Sequence, residues 1–193
     1  NLGAEHMDAF FTGNALFNQN WQTAPSSTES RDGLGPTFNA RSCSSCHFKD
    51  GRGRPPVAAE ESIFSLLIRL SIEGQGPHGE IVPDPNYGDQ IQPTGILNVP
   101  GEGVPTLRYE EMPGAYKDGE AYSLRRPVYE FPEQPFGPLH PTLRVSPRVA
   151  SVVVGLGLLE AVPLETLMAF ADPEDANGDG ISGRLQQVWD PQA

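Results

Sequence analysis

Both cysteines of this 193-residue chain fall in one pentapeptide, Cys43-Ser44-Ser45-Cys46-His47. Two residues between the thiols let them reach the two vinyl groups on one edge of a porphyrin, and the next residue turns its imidazole under the iron. The implied chemistry is covalent attachment of one haem c, with Cys43 and Cys46 as thioether donors and His47 as the proximal iron ligand. Other uses of the pair lack their necessary parts. A structural zinc site needs four ligands, no thiol is left over, and His6, His78 and His140 stand singly. A thioredoxin-like motif opens a helix after a buried strand, whereas Gly33-Leu34-Gly35-Pro36 and Asn39-Ala40-Arg41-Ser42 read as loop. A disulfide across two residues is strained and leaves His47 without a part.

A second chemical signal is Asp175-Ala176-Asn177-Gly178-Asp179-Gly180-Ile181-Ser182-Gly183. Oxygen side chains at alternate positions before a glycine match the first half of a calcium loop, with Asp175, Asn177, Asp179 and the Ile181 carbonyl as ligands. The twelfth position is Gln186 rather than a bidentate glutamate, so Asp172 or Glu174 would have to complete the shell. An unliganded turn rich in Asx residues fits the same residues.

The elements around these motifs form three stretches of a single haem domain spanning 1–193. In 5–62, Met7, Phe10, Phe11, Phe17 and Trp21 recur at helical spacing, which predicts a helix from Glu5 to Trp21 with an aromatic face turned inward. The haem motif and the basic, turn-rich Asp50-Gly51-Arg52-Gly53-Arg54-Pro55-Pro56 follow it. In 63–145, Phe64, Leu66, Ile68, Leu70 and Ile72 alternate with more polar residues and predict a strand. Tyr122 to Phe131 reads as another, broken by Pro127. Thirteen of the 20 prolines lie between Gly74 and Pro147, so this stretch is an insertion of turns and short strands. In 146–193, Ser146-Pro147 reads as an N-cap and first helical residue for an apolar helix from Val149 to Ala161. Gly155 and Gly157 in it suggest close packing on a porphyrin or another helix, and Pro163 starts a short helix to about Ala171. The expected fold is mainly α, a cytochrome c-like haem domain with a proline-rich insertion carrying short β-strands.

Thirteen Lys and Arg against 25 Asp and Glu give a net charge of −12, made more negative by haem propionates. That excludes a nucleic-acid binder and steers toward basic redox proteins, or simply solvates the surface. No apolar run approaches the roughly 20 residues that cross a bilayer. Haem of this kind is attached outside the bacterial cytoplasm, so the motif carries an expectation of export, a trimmed N-terminus and a periplasmic location.

Asp32-Gly33-Leu34-Gly35-Pro36-Thr37-Phe38-Asn39-Ala40-Arg41-Ser42-Cys43, then Cys46-His47, Asp50-Gly51-Arg52-Gly53, Tyr87-Gly88-Asp89-Gln90, Gly155-Leu156-Gly157-Leu158-Leu159-Glu160-Ala161 and Asp179-Gly180-Ile181-Ser182-Gly183-Arg184 occur in that order. Together they resemble the di-haem oxidoreductase family, peroxidase-like proteins sometimes labelled thiol oxidoreductases. The likeness runs from about Phe10 to Trp189. It implies a periplasmic redox protein distantly similar to di-haem cytochrome c peroxidases. It also implies a second haem motif beyond the glycine- and aspartate-rich segment, whereas this chain stops at Pro191-Gln192-Ala193, so the expectation is an N-terminal half lacking its second haem domain. With one haem there is no internal store for a second reducing equivalent, and little steady-state peroxidase turnover is expected.

Two functions follow from the resemblance. In one, the chain is the haem half of a peroxidase-like oxidoreductase: His47 holds iron, Arg52 or Arg54 pairs with propionates, and a carboxylate among Glu102, Glu110, Glu111 and Glu160 moves protons. In the other, it is a six-coordinate electron-transfer module with no substrate, its second ligand drawn from His140, His78, His6, Met112, Met168 or Met7. His140 is preferred, because Gly137-Pro138-Leu139-His140-Pro141 is stiff. Thiol oxidation by the protein's own cysteines is not expected, since haem attachment consumes both.

Overall fold

In the computed structural model, which describes residues 3–58, 61, 63, 65–187 and 189–190, the chain opens with a helix, α1 (Ala4–Asn18). Seven strands follow: β1 (Thr37–Phe38), β2 (Leu66–Ser71), β3 (Gln90–Ile91), β4 (Thr94–Gly95), β5 (Thr106–Ala115), β6 (Ala121–Glu130) and β7 (Arg144–Val149). Two short helices, α2 (Leu156–Glu160) and α3 (Leu164–Ala169), come last. The expectation of a mainly α, cytochrome c-like domain is overturned, because the chain is 18% helical and 24% strand, with coil making up most of the rest.

The period of two in the middle of the chain is what builds the core. Leu66, Ile68 and Leu70 of β2 point to one face and are buried, while Leu67, Arg69 and Ser71 alternate outward. Phe64, included in the expected strand, lies outside the described residues. β7 runs antiparallel along the whole of β2, from Leu66 opposite Val149 to Ser71 opposite Arg144, and β3 pairs on the other side at Ile68 and Ile91. Tyr87 and Ile91 complete the buried cluster, and Leu139, Leu143 and Val145 pack against it. Asp84, 2% exposed, is the buried charge beneath it. Its carboxylate accepts from the backbone N–H groups of Asn86, Tyr87 and His140 at 2.9, 3.1 and 2.9 Å, so burial leaves no oxygen unpaired. Leu70 is 1% exposed, and Leu70→Ala is expected to destabilise the fold by about 2–5 kcal/mol in denaturant titration.

The helix expected from Val149 to Ala161 is largely absent, and its supposed N-cap is strand. Ser146 and Pro147 lie in β7, where Val145, Pro147 and Val149 alternate with Arg144, Ser146 and Arg148. β7 is an edge strand in the order β3-β2-β7, the one place in a sheet where a missing N–H costs little. Two β-branched residues, Val152 and Val153, then disfavour helix before the chain turns at Val154 and Gly155. Gly155 turns it at φ 89°, a left-handed conformation that glycine adopts without strain, so helix forms only over the five residues of α2. Neither Gly155 nor Gly157 is in close packing, for a Cβ built on either meets nothing within 4 Å. α3 begins after Pro163 as expected and ends at Ala169.

Pro127 does not break the second strand. β6 is continuous and pairs with β5 along ten residues as a two-stranded ribbon, with Pro127 opposite Tyr109. The ribbon is fastened at its base, where the Tyr109 hydroxyl donates to the Pro56 carbonyl and Arg125, 4.6 Å from the Tyr109 ring centre, donates to the Val57 carbonyl at 3.2 Å. Across its face Glu110 lies between Arg126 and Arg108. Those guanidiniums, Arg126 first, hold its carboxyl below the usual carboxylate range. The pairing therefore supports the ribbon at neutral pH and fades as pH falls through that lowered value.

α1 forms where its periodicity placed it, ending at Asn18 rather than Trp21. The inward aromatic face is a second correction: Met7, Phe10, Phe11 and Trp21 are exposed, and Phe17 is half-buried. The helix packs on the turn at Cys43–Ser45 rather than on the β2 core, so Phe10 and Phe17 of its apolar stripe face a cleft instead of an interior.

Candidate functional site

Cys43–Ser45 form a single 3₁₀ turn in which the backbone N–H groups of Cys46 and His47 both donate to the Cys43 carbonyl at 3.1 Å. Ahead of it, the buried Ser42 hydroxyl meets those of Ser44 and Ser45 at 3.2 and 2.7 Å, which fastens the two serines between the thiols. Neither cysteine is in a disulfide; Cys43 is exposed and Cys46 buried. Burial, and then the neighbouring Cys43, pushes the Cys46 thiol up.

His47 is anchored from far along the chain. Its Nδ1 lies 2.7 Å from the Ser151 carbonyl, 104 residues on. A carbonyl can only accept, so Nδ1 carries a proton, and in the neutral ring Nε2 is then the nitrogen with the lone pair. Among the described residues no hydrogen bond engages Nε2, and the neighbouring ring is Phe17, centred 6.1 Å away. An imidazole oriented through Nδ1 with Nε2 unprotonated is the arrangement a metal-binding histidine requires.

The segment after β7 supplies more than one anchor. The Asp50 carbonyl accepts from Val153 and Val154 N–H groups at 3.0 and 3.3 Å, and the Gly53 N–H donates to the Ala150 carbonyl at 2.9 Å. Beside these contacts lies an apolar cleft of about 510 Å³, walled by Phe10 and Phe17 of α1 and by Val153, Val154 and Leu156. Asp50 also lines it, an acidic residue that sequence reasoning quoted in a motif but did not single out. Its place three residues after His47 was the available signal.

Arg52 and Arg54 line two further clefts, of about 450 Å³ with Phe48 and Ser65 and about 540 Å³ with Val149 and Ser151. Arg54 is paired to Glu61 at 2.7 Å, and this hydrogen bond leads the causes that hold the Glu61 carboxyl low. Arg52 makes no ion pair among the described residues and shares the second cleft with Ser151.

Most of the other candidates lie apart from this centre. His140 precedes β7 and Ser151 follows it, and six residues of strand separate them by about 20 Å. The His140 ring meets the Thr142 hydroxyl at 3.0 Å, and His78 stacks on Trp189 with ring centres 3.9 Å apart. Met7 and Met168 are exposed on α1 and α3, Met112 is exposed on β5, and His6 is on α1. Glu102 accepts from Thr37 and Gln92, Glu110 and Glu111 belong to the ribbon, and Glu160 is exposed on α2.

In the Asx-rich loop the oxygens turn to the backbone. Asp172 accepts from Ala176 and Asn177, Asp175 from Gly180, Asn177 from Asp179, and Asp179 from Ile181. Among the described residues no group of three or more His, Cys, Asp or Glu side chains is arranged to hold a metal ion. Also among them, no helix is long and apolar enough to cross a membrane.

Two thiols outside any disulfide, an imidazole oriented through Nδ1 and an adjoining apolar wall fit a covalently held haem c, the cofactor of a redox protein. A family model described as "Di-haem oxidoreductase, putative peroxidase" matches residues 1–193, and the chain belongs to that family. No curated protein and no solved structure matches it.

Proposed function

We propose that this chain attaches one haem c through Cys43 and Cys46, with His47 as its iron ligand, and serves as a redox domain of a peroxidase-type oxidoreductase. The observation that carries the reading is the 2.7 Å contact between His47 Nδ1 and the Ser151 carbonyl, which orients the ring and leaves Nε2 as the nitrogen available to iron. When bound, the haem supplies one-electron chemistry and an iron site for peroxide. The chain does the rest. Phe10, Phe17, Val153 and Leu156 give the cleft an apolar lining, and Arg52, which makes no ion pair among the described residues, offers its charge to a propionate. Asp50, which lines the same cleft, is the residue whose carboxyl would hold or deliver a proton.

The six-coordinate reading has less support, since the preferred second ligand, His140, meets Thr142 through its ring and His78 stacks on Trp189. A second haem domain and an electron-donor protein are the partners this reading calls for, with a net charge of −12 favouring a basic donor. The proposed attachment chemistry supports a location outside the bacterial cytoplasm.

Denaturing the haem-loaded chain in alkaline pyridine is expected to give a c-type haemochrome at one haem per polypeptide. Mass spectrometry is expected to show the cofactor travelling with the protein. Complete extraction of the haem by acidified organic solvent would defeat the proposal.

A further inference from the structure

Gly53 sits at a point where the haem-motif segment, β2 and the segment after β7 converge. Its N–H donates to the Ala150 carbonyl at 2.9 Å, and the Ala150 N–H in turn donates to the Ser65 carbonyl at 3.0 Å. The next residue, Ser151, accepts from His47 Nδ1 at 2.7 Å. A Cβ built on Gly53 lies 2.5 Å from the Ser65 Cβ and 3.1 Å from the Cys46 carbonyl oxygen. The first contact is closer than real Cβ atoms come, and its partner is the root of a buried side chain rather than a flexible end. No side chain fits there without driving residues 50–53 away from Ser65 and Ala150.

We infer that Gly53 is a positioning residue for the haem ligand: its missing side chain lets Ala150 and Ser151 approach closely enough for the Ser151 carbonyl to hold the His47 imidazole. The inference rests on the proposed haem function and adds a control over the iron's electronic state. A strong acceptor on Nδ1–H makes the imidazole more basic and favours ferric iron, so weakening that contact favours ferrous iron and raises the reduction potential. Neither the substrate nor the iron meets Gly53 in this scheme. It acts through Ser151 and His47.

Gly53→Ala is the test, with Ser65→Gly as its partner, because the latter removes the atom that the new methyl group strikes. Three samples of the haem-loaded chain are compared by potentiometric titration: the natural sequence, Gly53→Ala, and Gly53→Ala with Ser65→Gly. The expected result is unchanged covalent haem in all three. The ferrous-to-ferric ratio at fixed potential is expected to rise about tenfold in Gly53→Ala, equivalent to about 59 mV for one electron, and to return most of the way in the double variant. In the unloaded chain, the His47 Nδ1 proton is expected to be seen by nitrogen-edited NMR for the natural sequence and the double variant, and to exchange out in Gly53→Ala. A midpoint that stays put in Gly53→Ala while haem is retained overturns the role of Gly53. So does a double variant as disturbed or unfolded as the single one. Absence of covalent haem from the natural sequence itself is a separate result and removes the function on which the inference rests.

Discussion

Replacing Cys43 and Cys46 together by alanine is expected to take covalently retained haem from one per chain to none. The two side chains are the only thiols in the sequence, so no other residue can form the thioether. Both changes remove a sulfur without adding bulk, and the turn is held by the Cys43 carbonyl and the Ser42 hydroxyl, neither of which is altered. Circular dichroism is therefore expected to match the parent. Extraction into acidified acetone followed by the absorbance of the protein fraction measures the outcome. Haem that stays with the doubly substituted polypeptide would mean the pentapeptide is not the attachment point.

The second large effect is expected at Asp50. Asp50 lines the apolar cleft and its backbone carbonyl makes the bonds to Val153 and Val154, so Asp50→Asn alters the carboxyl group and leaves that anchor intact. Its backbone lies at φ 59°, which asparagine also tolerates. The second-order rate of reaction with hydrogen peroxide, followed by stopped-flow absorbance, is expected to fall about 100- to 10,000-fold, the usual contribution of general acid–base catalysis. Haem content is expected to hold constant. A rate within twofold of the parent would assign the proton to another group.

What could be read from the residues depended on how local the determining interaction is. The pentapeptide is complete within five positions, and β2 shows its alternation within six. β7 carries the same alternation, but Ser146-Pro147 also satisfies the rule for a helix start, and only pairing with β2, some 80 residues earlier, decides between them. The aromatic periodicity of α1 located the helix correctly and misjudged its surroundings, because periodicity identifies a face without saying what lies against it. Proline counts rightly predicted turns in the middle stretch, yet hid a ten-residue ribbon whose unpaired edges accommodate Pro113 and Pro127. At the site, Asp50 and the Ser151 carbonyl went unnoticed for the same reason: a backbone oxygen has no signature in a sequence, and a lone aspartate is usually solvated.

The separation of 104 residues between His47 and Ser151 bears on the order of events when the protein is made. At about 5–20 residues per second, the chain grows for about 5–20 s after His47 emerges before its anchoring carbonyl exists. Throughout that interval the imidazole has no anchoring carbonyl, although the turn that carries it is held by bonds within residues 42–47. The ring is therefore fixed late, when β7 closes along β2 and brings Ser151 to it.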